Sequence, residues 1–293
     1  MIRRAYYRSI YLQLIFFVAA FGALSCNTED NVAQLQSQVI DLWPDGAPND
    51  NGITDQEESR DGRLYNISKA ELYYYPAPVP NGMVIIMCPG GGYDHLSINH
   101  EGIDGASIMN QLGISFAVLK YRLPNGNIEV PISDGLKAIE LLRIHSREYG
   151  INPNRIGIMG ASSGGNLASQ VSTRYSSKMN RPDFAVLLYA VTGLDINPEL
   201  MIGSNASEEV KERYTSFKHV TSSTPPTFLT CSSDDGVVSI ENSINYYEAL
   251  NKNDVISELR IYPSGGHGWG FSDDFPYHDE LISDLYKWLM ELP

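Results

Sequence analysis

Apolar and polar residues alternate on two different periods along most of this chain, beginning near Glu71. Short apolar runs at 71–75, 83–88, 114–120, 155–159, 184–190, 227–231 and 256–262 predict strands. Several are continuously apolar, as strands buried on both faces of a sheet should be. Between them lie stretches with apolar residues three or four apart, predicting helices at about 102–112, 133–149, 163–175, 239–251 and 278–289. In the second of these, Leu136, Ile139 and Leu142 share a face, Ser133 is the expected N-cap and Gly150 the stop. Strand–helix alternation predicts a mainly parallel central sheet with helices on both faces. The stretch 193–223 lacks either period and is long for a loop, so it reads as a small cap insertion.

The first residues follow a different pattern. A basic start (Arg3, Arg4, Arg8) precedes an apolar run that ends in Ala23-Leu24-Ser25-Cys26. This is the layout of a secretory signal over residues 1–25, too short to span a membrane stably. Its end resembles a bacterial lipobox, with Ala23 where Leu is usual. Cys26 would then carry a lipid, and the chain would sit in a Gram-negative cell envelope as an anchored lipoprotein. Residues 26–40 read as a tether and 41–293 as one folded domain; up to about 60 the chain is polar, acidic and irregular.

Removing residues 1–25 takes away three arginines and no acid, leaving 18 basic and 35 acidic residues, a net charge of −17. That balance opposes binding to nucleic acid or to an anionic membrane surface. Any membrane contact would therefore run through the lipid on Cys26. Cys88 and Cys231 each close an apolar run and read as free, buried thiols on non-adjacent strands; no metal-ligand spacing is present.

The chemistry centres on Gly160-Ala161-Ser162-Ser163-Gly164, which follows an apolar strand and opens a helix. That context is a nucleophile elbow: the glycines let the backbone turn sharply enough to project Ser162 from the sheet. A serine hydroxyl needs a base, and the base needs an acid to orient it. His267, in Gly265-Gly266-His267-Gly268-Trp269-Gly270 after the last strand, is the expected base. The acid should follow the strand ending at Cys231, where Asp234 and Asp235 are adjacent. Asp235 is the first choice and Asp234 the alternative, the other carboxylate capping the turn. The order serine, acid, histidine is that of α/β-hydrolases. An oxyanion also needs donors, and Pro89-Gly90-Gly91-Gly92-Tyr93 lies where such a loop belongs. The expected donors are the N–H groups of Gly91, Gly92 and Ser163. A phosphate cradle is excluded, since no Lys-Ser/Thr pair follows the glycines. No cofactor or metal is called for.

These motifs resemble the bacterial α/β-hydrolases of the acetylxylan esterase and feruloyl-esterase-like group, some of which are labelled xylanases. The matching residues are Leu42-Trp43-Pro44-Asp45-Gly46-Ala47-Pro48, 88–93, His100-Glu101-Gly102 and Leu119-Lys120-Tyr121-Arg122-Leu123-Pro124. The serine elbow, Thr224-Pro225-Pro226-Thr227-Phe228 and 265–270 complete the set. Ser163, Ser239 and Ala190 depart from the usual Ala, Pro and Pro, and the last bears on the acyl pocket. The resemblance implies a serine carboxylesterase acting on an acylated carbohydrate or small ester. His100-Glu101 are expected to support the glycine loop and cap the next helix, and Tyr121-Arg122 to brace the fold. The rivals are a prolyl-oligopeptidase-type peptidase, a glycosidase using two carboxylates, and a non-catalytic glycan-binding lipoprotein. The peptidase reading calls for a gating domain, for which 293 residues leave no room.

Overall fold

A computed structural model describes residues 37–293. The predicted signal segment, Cys26 and the tether as far as residue 36 lie outside the described residues. Among the described residues, no helix is long and apolar enough to cross a membrane.

The strands are β1 (Gln38–Asp41), β2 (Glu58–Arg60), β3 (Arg63–Tyr65), β4 (Glu71–Tyr75), β5 (Val84–Cys88), β6 (Ser115–Lys120), β7 (Ile156–Ala161), β8 (Phe184–Leu188), β9 (Thr227–Ser232) and β10 (Ser257–Tyr262). The α-helices are α1 (Asp104–Gln111), α2 (Glu129–Ile144), α3 (Ser162–Arg174), α4 (Pro198–Ile202), α5 (Glu208–Arg213), α6 (Glu241–Lys252) and α7 (His278–Glu291). Eight strands form one sheet in the order β1-β4-β6-β5-β7-β8-β9-β10. The pairs β1–β4 and β4–β6 are antiparallel; every pair from β6 to β10 is parallel. This is the mainly parallel, helix-covered sheet of the α/β-hydrolase fold.

The inner strands β5, β6, β7, β8 and β9 are buried at every position. Each buried Val, Leu or Ile contributes roughly 1.5–3 kcal/mol by leaving water, which makes this slab the stabilising centre. Both faces are covered. α3 packs on β7 and β8, while Trp288 of α7 meets the rings of Phe184 and Phe228, with centroids 6.4 and 5.7 Å away. α7 supplies Leu281, Leu285, Trp288 and Leu289 to the core, the spacing of one helical face.

The structure departs from the sequence pattern in three places. Helix α2 begins at Glu129, not at Ser133, whose hydroxyl instead donates to Val130 O and Asn49 Oδ1 from inside the helix. Pro131 does not bar the early start, because first-turn residues have no intrahelical acceptor to lose. The tether reading runs into the sheet, since Gln38–Asp41 pairs with β4. A small hairpin, β2–β3, occupies part of the polar lead-in. Cys88 and Cys231 are buried free thiols on β5 and β9, with β7 and β8 between them. The insertion at 193–223 carries α4, α5 and a 3₁₀ turn, Ser216–His219.

Candidate active site

Strand β7 ends at Ala161 and α3 starts at the very next residue, so the chain reverses at Ser162 with φ of 53°. A left-handed conformation is costly for a residue with a side chain, and it persists only where the surroundings enforce it. Here the enforcement is close packing. A Cβ on Gly160 would lie 2.1 Å from Gly164 O, and one on Gly164 would lie 2.0 Å from Cys88 O. Only glycine allows strand, helix and the end of β5 to approach this closely.

Three elements meet at that turn. His267 Nε2 lies 2.9 Å from Ser162 Oγ, and His267 Nδ1 lies 2.7 Å from Asp235 Oδ2. The Asp235 side chain is fully buried and that of His267 16% exposed. The other oxygen of Asp235 accepts from the N–H groups of Val237 and Val238, at 2.8 and 2.9 Å, fixing the carboxylate. The neighbouring carboxylate turns elsewhere: Asp234 accepts from Gly266 N at 2.8 Å and Gly265 N at 3.3 Å, capping the histidine loop. With Nδ1–H directed at a carboxylate, Nε2 is the basic nitrogen facing the serine.

The glycine loop after β5 lies against the elbow, for a Cβ on Gly90 would sit 2.8 Å from Ala161 O. Gly91 and Gly92 have φ of 131° and 63°. Gly91 O accepts from Asp94 N at 3.1 Å and from His95 N at 3.3 Å, which closes the loop into a tight turn. No acceptor among the described residues engages the N–H of Gly91, Gly92 or Ser163. The loop is braced from behind. Glu101 Oε2 accepts from Gly90 N at 2.9 Å, and Tyr121 Oη donates to Pro89 O at 2.8 Å. Arg122 makes a forked ion pair with the buried Asp134. Glu101 supports the loop, but the expected capping of the next helix is not found, since the Ile103 N-cap of α1 makes no side-chain bond.

Two contacts escaped the sequence pattern. Asn197, in the left-handed region at the N-cap of α4, donates from Nδ2 to Gly92 O at 2.9 Å, tying the cap to the glycine loop. Its position before Pro198 was the available signal, since Asn-Pro marks a turn and helix start. Tyr189, just beyond β8, sets its ring edge-on to His267, centroids 4.8 Å apart. Among the described residues, no group of three or more His, Cys, Asp and Glu side chains is arranged to hold a metal ion.

A serine elbow, a hydrogen-bonded histidine and acid, and a glycine loop, each following the carboxyl end of a parallel strand, define an α/β-hydrolase. The chain belongs to the prolyl oligopeptidase family, whose sequence profile matches residues 125–292. It is 37% identical over 243 residues to an acetylxylan esterase of Xylanibacter ruminicola, an alignment covering 78% of this chain and 50% of that protein. It is 26% identical over 209 residues to endo-1,4-beta-xylanase B of Butyrivibrio fibrisolvens, covering 65% and 33% respectively. The chain thus spans half the length, or less, of these curated relatives. Among solved structures, an acetyl ester-xyloside bifunctional hydrolase from Caldicellulosiruptor lactoaceticus superposes with a TM-score of 0.71 at 33% identity, covering 86% of this chain and 95% of that one.

Proposed function

We propose that this protein is a serine carboxylesterase that removes acetyl or similarly small acyl groups from plant-type oligosaccharide or polysaccharide. Ser162 Oγ attacks the ester carbonyl while His267 Nε2 takes its proton and passes it to the departing sugar hydroxyl. Asp235 keeps the Nδ1 proton directed and stabilises the imidazolium without becoming protonated. The tetrahedral oxyanion accepts from the N–H groups of Gly91, Gly92 and Ser163, each such donor typically being worth ~3 kcal/mol. Water deprotonated by the same histidine then releases the acyl group and regenerates Ser162. The observation that carries this reading is the unbroken Ser162–His267–Asp235 chain, at 2.9 and 2.7 Å, beside the N–H groups of Gly91 and Gly92, which no acceptor among the described residues engages. The carbohydrate ester is supported by the likeness to an acetylxylan esterase.

Ser162→Ala should lower turnover of p-nitrophenyl acetate by at least about a thousandfold while melting temperature and circular dichroism stay unchanged. Substantial remaining turnover would sink the assignment. On acetylated xylan, acetate release without new reducing ends favours the esterase over a glycosidase. Membership of the prolyl oligopeptidase family brings a peptidase as second reading. Faster cleavage of a prolyl p-nitroanilide than of p-nitrophenyl acetate would favour it.

A further inference from the structure

Behind the site runs a buried polar chain that the proton relay does not use. Glu101 is 4% exposed and lies in a single π-helical turn, Asn99–Ile103, a form concentrated at functional sites. One carboxylate oxygen accepts from Gly90 N at 2.9 Å; the other accepts from Tyr189 Oη at 2.7 Å. The same phenol oxygen accepts from Gly270 N at 2.9 Å. Beside it, His100 Nε2 donates to Gly268 O at 2.5 Å. The π turn is therefore joined on one side to the oxyanion loop, and on the other to two positions of the loop that carries His267.

Glu101 pairs with no Lys, Arg or His among the described residues, which makes it an expensive group to bury. An apolar or amide side chain would fill the space at lower cost. What the carboxylate supplies is two acceptors at once, and charge-assisted bonds that are shorter and stronger than neutral ones. Burial pushes the Tyr189 phenol well above its ordinary pKa, so it keeps its proton and serves as donor to Glu101 while accepting from Gly270. Tyr189 itself holds a φ of 37°, a left-handed value that a bulky residue adopts only under constraint. Its ring meets His267 at 4.8 Å and Trp269 at 4.5 Å, so the hydroxyl and the ring fix the histidine loop from two directions.

We propose that Glu101 and Tyr189 are positioning residues, a bracket that holds the oxyanion loop and the histidine loop at the separation acyl transfer requires. This role rests on the serine-esterase reading. A small change in that separation is enough to matter, since a displacement of about 1 Å at reacting groups can cost about a hundredfold in rate.

Tyr189→Phe keeps the ring and removes only the hydroxyl; Glu101→Gln keeps the shape and removes the second acceptor. kcat and KM for p-nitrophenyl acetate should be measured per serine site titrated with a fluorophosphonate, alongside melting temperature. Each variant should lose about ten- to a hundredfold in kcat per titrated site, with KM moving less than about threefold. The double variant should be no slower than the slower single, because both break one chain. Wild-type kcat per titrated site in Tyr189→Phe, whatever its melting temperature, would overturn the bracket, as would single effects that simply multiply. Should Glu101→Gln fail to fold, Tyr189→Phe decides alone. A wild-type protein that neither turns over the ester nor takes the label would instead overturn the esterase reading, and the bracket's role with it.

Discussion

Asp234 and Asp235 are adjacent and chemically identical, yet they do different things. A carboxylate that receives Nδ1–H of His267 and two backbone N–H groups is held in one orientation; one that caps Gly265 and Gly266 stabilises a loop. Asp235→Asn should therefore lower kcat by about four orders of magnitude, because an amide can present its N–H to the imidazole and reverse the tautomer. Asp234→Asn keeps an oxygen for Gly266 N and should cost far less, about tenfold or under, through a looser histidine loop. The comparison is kcat on p-nitrophenyl acetate for the two variants, and a larger loss in Asp234→Asn would reverse the assignment. The chain order of serine, acid and histidine is legible because each follows a strand that apolar residues announce. Which of two neighbouring aspartates faces the imidazole depends on the turn after β9, a matter of backbone direction that no spacing records.

Where strands and helices carry a strong period, the pattern finds them, and the elbow is the clearest case. β7 and α3 abut with no loop between them, and the reason lies in Gly160 and Gly164. Gly164→Ala would place a methyl 2.0 Å from Cys88 O and 2.5 Å from Pro89 O, backbone atoms of the last residue of β5 and the first of the glycine loop. Backbone cannot step aside as a flexible side chain can, so the variant should lose about 3 kcal/mol of stability, at the upper end of overpacking effects. It should also lose fluorophosphonate labelling of Ser162. Chemical denaturation and labelling measure the two losses, and a stable, fully labelled variant would contradict this account. The pattern fails where tertiary contacts decide. Ser133 has the composition of an N-cap, but Arg122, Asp134 and Asn49 draw it into a buried network one turn inside α2. β1 is four residues long, with its first two residues exposed and none fully buried, too short to announce itself. Asn197 and Tyr189 act across more than eighty positions of sequence, a reach that local periodicity cannot represent.

The sheet is uniform except at one edge, where β1, β4 and β6 run antiparallel and the polar lead-in is stitched to the core by charge. Asp41 faces Glu71 across β1–β4, and Glu71 faces Lys120 across β4–β6. Two carboxylates directly opposite repel. Lys69 resolves the conflict by bonding Asp41 at 3.0 Å and Glu71 at 3.1 Å, and the buried Lys120 reaches Glu71 at 2.8 Å and Glu57 at 2.9 Å. The bond from Lys69 holds Asp41 below the ordinary carboxylate range. Burial alone would raise Glu71, but Lys120 and Lys69 outweigh it and bring it down. Burial likewise opposes the charge of Lys120, yet Glu71 and Glu57 hold its pKa above the ordinary ammonium value. Carboxylates depressed by folding stabilise fully above their unfolded pKa, and that stability is lost as pH falls through the folded values. For the raised ammonium groups the sign reverses: their contribution is complete below the unfolded pKa and fades as pH rises through the folded one. This edge should thus be indifferent to pH between about 5 and 9 and loosen beyond both limits. Glu71→Gln removes one depressed carboxylate, so the loss of melting temperature between about pH 6 and pH 3 should be smaller in the variant than in the parent protein. The same substitution leaves Lys120 with Glu57 as its only acid, which lowers stability at neutral pH. A variant less stable at neutrality but with a shallower acid slope is the expected signature, and parallel pH profiles would show that the charges at this edge do not couple to folding.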